Sequence, residues 1–220
     1  ISDLKELSSL DPDLTIVTGD FLAHQDSIPA VIDALGGLLQ KPGFFVFGSN
    51  DYYAPTIKNP ISYLFSDSSG SRLGAKLPWL KLQSELVKAG PDFNVYTNLV
   101  DVNAVVAAGN VGIGGQVSLS IGASLDPRWS KPVLISGKVL NLGSTPILLK
   151  GIVMNGQEVS IGNWATIDCG RGLIVLVSTE PAPSFDPATY ESVGLQISKA
   201  DAVHVRSCAL FRAGYVDLFD

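Results

Sequence analysis

The sequence predicts an α/β N-terminal half with parallel strands, joined to a β-rich C-terminal half. Three observations carry that reading. In the first hundred residues, apolar side chains switch between strand-like runs and helical spacing. From Gln116 onward, short apolar runs follow one another with turn signals between them. The 22 Gly and 13 Pro of the 220 residues supply those turns.

Ser2 can cap a first helix on which Leu4, Leu7 and Leu10 recur at helical spacing, and Asp11-Pro12-Asp13 stops it. Residues 14–18 read as a strand ending at Gly19-Asp20. A second helix starts near Ser27 with Pro29 in its first turn, and Ile28, Val31, Ile32, Leu35, Leu38 and Leu39 make one apolar stripe. Lys41-Pro42-Gly43 then turns the chain into a strand at 44–47, which ends at Gly48-Ser49-Asn50-Asp51. Strand, helix and strand joined by short turns predict a right-handed βαβ unit with a parallel pair. Residues 66–75, rich in Ser and Gly, read as a loop. A third helix follows at 79–88, with Gly90 as its left-handed C-cap. In the second half, strands are predicted at 117–121, 133–140, 147–154, 173–177 and 202–205. Asn155-Gly156 reads as a hairpin turn in which both residues tolerate positive φ, and Phe185-Asp186-Pro187 opens a short helix. The halves meet near 98–115, which gives domains 1–98 and 99–220.

Composition excludes several classes. With 46% hydrophobic and 16% charged residues, the chain is neither disordered nor a coiled coil. No apolar stretch approaches the roughly 18 residues of a membrane span. A net charge of -6 without any Lys/Arg cluster argues against a nucleic-acid partner. The two cysteines, Cys169 and Cys208, form neither a disulfide framework nor a metal knuckle. They read as small buried hydrophobes in a reducing compartment, so a cytoplasmic location is expected. No secretory signal is visible, and because the chain opens on Ile1 an upstream segment is expected.

The polar residues of interest follow the two parallel strands, where open α/β sheets collect ligands. Asp20 offers a hard anionic oxygen and Asn50 a neutral one, both suited to divalent cations, although such loops also occur as Asx turns. In context, Thr18-Gly19-Asp20-Phe21-Leu22-Ala23-His24 and Val46-Phe47-Gly48-Ser49-Asn50-Asp51-Tyr52-Tyr53-Ala54-Pro55 resemble the calcineurin-like metallophosphoesterase family. Lys58-Asn59-Pro60 and Lys76-Leu77-Pro78-Trp79 extend that resemblance, which covers about residues 1–98. It implies a divalent metal (Mn, Fe or Zn), a small-molecule phosphoester substrate and a metal-bridging role for Asp20. In place of the family's Gly-Asn-His-Asp loop stands Gly48-Ser49-Asn50-Asp51, which leaves Ser49 or Asn50 as the second ligand. The family's Asp-x-His opening and Gly-His-x-His loop are absent, and the whole chain has two histidines, His24 and His204.

The second half is similar to the C-terminal domain of the microcystinase C family. The residues that carry this are Asp101 with the following Val102-Asn103-Ala104-Val105-Val106-Ala107-Ala108, then Gly112-Ile113-Gly114-Gly115 and Leu125-Asp126-Pro127-Arg128-Trp129. Phe185-Asp186-Pro187-Ala188-Thr189-Tyr190, Ser192-Val193-Gly194-Leu195 and the stretch 206–213 continue it. Members of that family are metal-dependent hydrolases whose ligands lie in a larger N-terminal domain, so the resemblance implies no ligand set here. Leu210 stands where the family has a His. His204 reads as a strand histidine with a hydrogen-bond partner. Asp168 beside Cys169 imitates a catalytic pair, yet no histidine in the sequence lies nearby to activate the thiol. The glycines 109, 112, 114 and 115 do not match the spacing of a nucleotide loop, and Trp79, Trp129 and Trp164 read as packing residues.

Two functions follow. One is a truncated or rearranged hydrolase-derived protein, metallophosphoesterase-like, whose metal site is incomplete and whose activity is weak or nil. The alternative is an active metal-dependent phosphoesterase or hydrolase completed by upstream residues or a partner. Fewer than three metal-capable side chains converging near Asp20 would favour the first.

Overall fold

The computed structural model describes residues 6–7, 9–55, 74–122, 131–207, 209–215 and 218. The expected N-terminal helix lies mostly outside these residues. So do most of the 66–75 loop, Lys58-Asn59-Pro60, the 125–129 motif with Trp129, and Cys208. The chain divides into two compact units, Ile1–Asp92 and Phe93–Asp220. Among the described residues no helix is long and apolar enough to cross a membrane.

The first unit contains β1 (Thr15–Val17), α1 (Ile28–Leu35), a 3-10 turn (Gly36–Gln40), β2 (Gly43–Phe45), α2 (Ser49–Tyr52) and α3 (Trp79–Ala89). β1 and β2 pair in parallel, with Ile16 opposite Phe44, as expected from their spacing. Proline at the start of α1 suits a position whose N–H has no partner in the helix. The apolar stripe of α1 packs with Leu82 and Leu86 of α3 against Phe21, Phe45 and Phe47, which forms the core of this unit. Trp79 and Tyr52 extend it as an edge-to-face aromatic group with Phe47, at centroid distances of 5.7 and 6.0 Å. Ile16 of β1 and Val46, just after β2, are 66% and 60% exposed. Gly90 departs from the expected left-handed cap. Its φ of -84° and ψ of 160° are extended, so the helix ends by running on into Pro91.

The second unit is a six-stranded mixed sheet in the order β10-β3-β9-β8-β5-β4. Its strands are β3 (Val95–Val100), β4 (Gln116–Ile121), β5 (Val133–Gly143), β8 (Trp164–Asp168), β9 (Leu173–Ser178) and β10 (Ala202–Val203). β10, β3 and β9 are parallel neighbours, and the remaining pairs are antiparallel. The half expected to be β-rich therefore also carries parallel pairing and a helix, α4 (Val102–Val111). Alternation along the strands puts side chains on both faces. Val175, Val177, Ala165 and Ile167 pack with Val105 and Ala108 of α4. Leu176 and Trp164 face the other way, towards Tyr190, Ile161 and Val193. A small hairpin of β6 (Ile147–Leu148) and β7 (Glu158–Val159) lies apart from the main sheet. The strand expected over 147–154 is thus two residues long. Positive φ falls on Met154 and Gly156, at 61° and 79°, rather than on both Asn155 and Gly156. Short α5 (Ala188–Glu191) and α6 (Phe211–Tyr215) complete the unit.

Candidate functional site

The parallel pair brings the two polar loops of the first unit together. Gly19, at φ 101°, lies so close to Gly48 that a Cβ would run into the Gly48 nitrogen. A Cβ on Gly48 would in turn strike the Asp20 carboxylate. Position 19 therefore requires glycine, a side chain on Gly48 would displace the Asp20 carboxylate, and Asp20 itself sits in the left-handed region at φ 62°.

The Asp20 side chain accepts the Asn50 backbone N–H at 3.2 Å, so it caps the first turn of α2 from outside the helix. Asp20, Ser49 and Asn50 are all exposed. Asp51, which the sequence argument passed over, is fully buried. Its carboxylate accepts the backbone N–H groups of Asp20 (2.8 Å), Gly48 (2.8 Å) and Leu22 (2.9 Å). A carboxylate so engaged has its oxygens taken up by the backbone rather than offered to a ligand. The signal that marks it is position: it is the third residue of a helix that starts at glycine, where an acidic side chain can reach back to the N-cap amide. His24 is exposed in a turn in which its N–H meets Ser27 Oγ at 3.2 Å.

Among the described residues, no three His, Cys, Asp or Glu side chains are grouped so that they could hold a metal ion. The loops thus join the Asp20 carboxylate to the main chain of Asn50. An acid and an amide are hard oxygen donors for one cation, whereas two-metal hydrolysis needs both ions held around a bridging hydroxide. The described residues do not fit a dinuclear centre.

The second unit repeats the buried-aspartate device. Asp186 accepts Gly151 N–H (2.7 Å) and Lys150 N–H (3.0 Å) on one oxygen and Ala188 N–H (2.9 Å) on the other. Asp101 caps α4 through Ala104 N–H (3.1 Å) and also accepts Gly122 N–H (3.0 Å). Asp168 accepts Gly170 N–H at 2.8 Å in a tight turn. Burial first, and then the Asp168 charge, push the neighbouring Cys169 thiol up to about 11. Asp168 therefore opposes thiolate formation, the reverse of activation. His204 Nδ1 meets Thr97 Oγ1 at 2.9 Å, and the His204 carbonyl accepts the Tyr190 hydroxyl at 3.0 Å. Leu210 is exposed. Gly114 N–H donates to Val139 O and Val139 N–H to Gly115 O, so the glycine run following α4 is tied to β5.

Comparison with known proteins bears on both units. Residues 80–220 match the family described as MlrC C-terminus, a match that begins within α3. No curated protein matches. In fold, the whole chain is similar to part of a crystal structure titled as a candidate metallopeptidase from Mesorhizobium sp. BNC1, with a TM-score of 0.56 and 18% identity. The chain spans only 34% of that protein's length.

Proposed function

We propose, since the chain belongs to the MlrC C-terminus family, that it is part of a metal-dependent hydrolase and that its own residues leave the metal centre incomplete. The observation that carries this is that, among the described residues, no three metal-capable His, Cys, Asp or Glu side chains are grouped at the paired loops or elsewhere. Asp20 meets Asn50 through the Asn50 backbone N–H, while the Asp51 oxygens are taken by three backbone amides. Further ligands for Mn, Fe or Zn would come from another segment of chain or from a partner. The structural neighbour, a candidate metallopeptidase most of whose length has no counterpart here, is in keeping with the hydrolase class.

A finer reading rests on one observation: the loops bearing Asp20 and Asn50 meet at the same end of adjacent parallel strands. That placement supports a ligand site at this end of the strands, and the resemblance of residues 1–98 to metallophosphoesterases is the ground for reading the substrate as a small-molecule phosphoester. No nucleic acid or membrane takes part in this reading.

The test is to assay the purified chain with Mn, Fe or Zn on an aryl phosphodiester and on a peptide panel, beside Asp20→Asn. Turnover no greater than that of Asp20→Asn is expected on both. Robust phosphodiester turnover that vanishes in Asp20→Asn would show the site complete and overturn the proposal. Peptide turnover would replace the phosphoester reading.

A further inference from the structure

The hairpin of the second unit holds a reactive pair of residues that no hydrolase role uses. In Asn-Gly, the glycine nitrogen can reach the preceding side-chain carbonyl because no Cβ stands in the way. Here both reactants are held. Gly156 N–H donates to Leu149 O at 2.9 Å, and Asn155 Nδ2 donates to Lys150 O at 3.4 Å. The turn is closed by Leu149 N–H to Gln157 O (2.9 Å) and by Gln157 N–H to Met154 O (3.0 Å). Its base is fastened by Asp186, which accepts the Lys150 and Gly151 amides. The Lys150 ammonium adds an ion pair to Glu191 at 2.9 Å.

We propose that Asn155 is a site of spontaneous deamidation, gated by opening of the hairpin that Asp186 holds shut. In the open state the Gly156 nitrogen loses its proton to hydroxide and bonds to Asn155 Cγ. The Cγ–Nδ2 bond breaks, and ammonia leaves after taking a proton from water. The resulting succinimide takes up one water at either carbonyl to give aspartate or isoaspartate. The exchange is water for ammonia, with no oxidation or reduction, and it adds one negative charge to the hairpin tip. In the closed state the nitrogen's proton is engaged by Leu149 O and the side chain is drawn towards Lys150 O, so attack waits on local opening.

The experiment incubates the full chain in mildly alkaline buffer and follows the Asn155 peptide by mass spectrometry, including the isoaspartate form. Conversion in the native chain is expected to be at least about tenfold slower than in denaturing urea, the factor that about 1.4 kcal/mol of opening free energy supplies. Asp186→Asn, if folded, should convert faster than the wild-type chain. Equal rates in native and unfolded chain would remove the gate, and no conversion in either would remove the site. An unchanged rate in folded Asp186→Asn would remove the role of Asp186. Should that variant not fold, sub-denaturing urea on the wild-type chain decides. Conversion is expected to rise well below the unfolding transition, and conversion that tracks only global unfolding would overturn the local gate.

Discussion

The two units cover their sheets differently. In the second, side chains of β8 and β9 alternate between two apolar clusters, one on each face, so the central strands are sealed on both sides. In the first, among the described residues, two short parallel strands are covered on one face by α1 and α3, and Ile16 and Val46 are exposed. Parallel strands are ordinarily buried on both faces. The contrast locates stability: the second unit has a two-sided core to lose, whereas the first depends on one layer of packing and on the amide ties at its loops.

The largest test of that contrast is to cut the same device in both units. Asp51→Ala and Asp186→Ala each strip the acceptor from three backbone N–H groups. In each set one bond is buried, that of Leu22 or Ala188, and the other two are part-buried, so the buried donor costs about 1–3 kcal/mol and the other two add less. In the first unit that should abolish amide-exchange protection of residues 15–47. The second unit should stay folded with a lower urea midpoint. Equal loss of protection in the two units would break the comparison.

A smaller effect is expected from Tyr190→Phe, which deletes the hydroxyl bond to the His204 carbonyl while keeping the ring in its cluster. Loss of about 1 kcal/mol is expected in urea unfolding of the second unit. No change in the exchange of the first unit should accompany it, and a shift there would show that the units do not unfold separately. Burial raises the Tyr190 phenol above its usual value, so its folded form holds its proton longer than the unfolded chain. Stability from this group is complete below the unfolded phenol value and falls as pH rises past it.

What the sequence revealed follows the same division. β1, α1 and β2 were legible because proline, glycine and a clean apolar stripe punctuate them, and their parallel pairing came with the short connections. α4 was not assigned: its valines and alanines carry no helix-favouring charges, and its limits depend on the Asp101 cap and on Gly112 at φ 74°. β8 was missed because Trp164, Ala165, Thr166 and Ile167 are all buried, which erases the polar alternation that marks a half-exposed strand. At the candidate site, residue type identified Asp20 as a potential ligand and left Asp51 unremarked. An aspartate that binds a cation and one that binds backbone amides look the same in sequence. Burial and the direction of the N–H groups separate them.

A near-neutral substitution sharpens that point. Asp20→Asn keeps an oxygen for the Asn50 N–H and tolerates φ 62°, so stability should change by less than about 0.5 kcal/mol. A large loss would mean that the negative charge of Asp20, and not merely its acceptor, holds the loops together. Asp20 would then belong with Asp51 as a structural anion.

The smallest effect in stability, but a clear one in chemistry, concerns Cys169 at the end of β8. Its thiol is partly buried, donates weakly to the Ile167 carbonyl at 3.9 Å and lies beside the Asp168 carboxylate. Burial first and that charge second hold its pKa at about 11 rather than 9.0. Between these values the unfolded chain has released the proton and the folded chain retains it, so the unfolded state binds fewer protons and stability declines with rising pH. Below the unfolded value the contribution is complete, and it is lost as pH rises through the folded one. Because the thiolate is the nucleophile, alkylation of Cys169 by iodoacetamide in the native chain should lag that of the urea-unfolded chain throughout this window. Asp168→Asn removes one of the two causes and should move the midpoint of native alkylation down in pH. A midpoint that stays fixed would assign the whole shift to burial, and rapid native alkylation near neutral pH would reverse the reading of Cys169 as an inert packing residue.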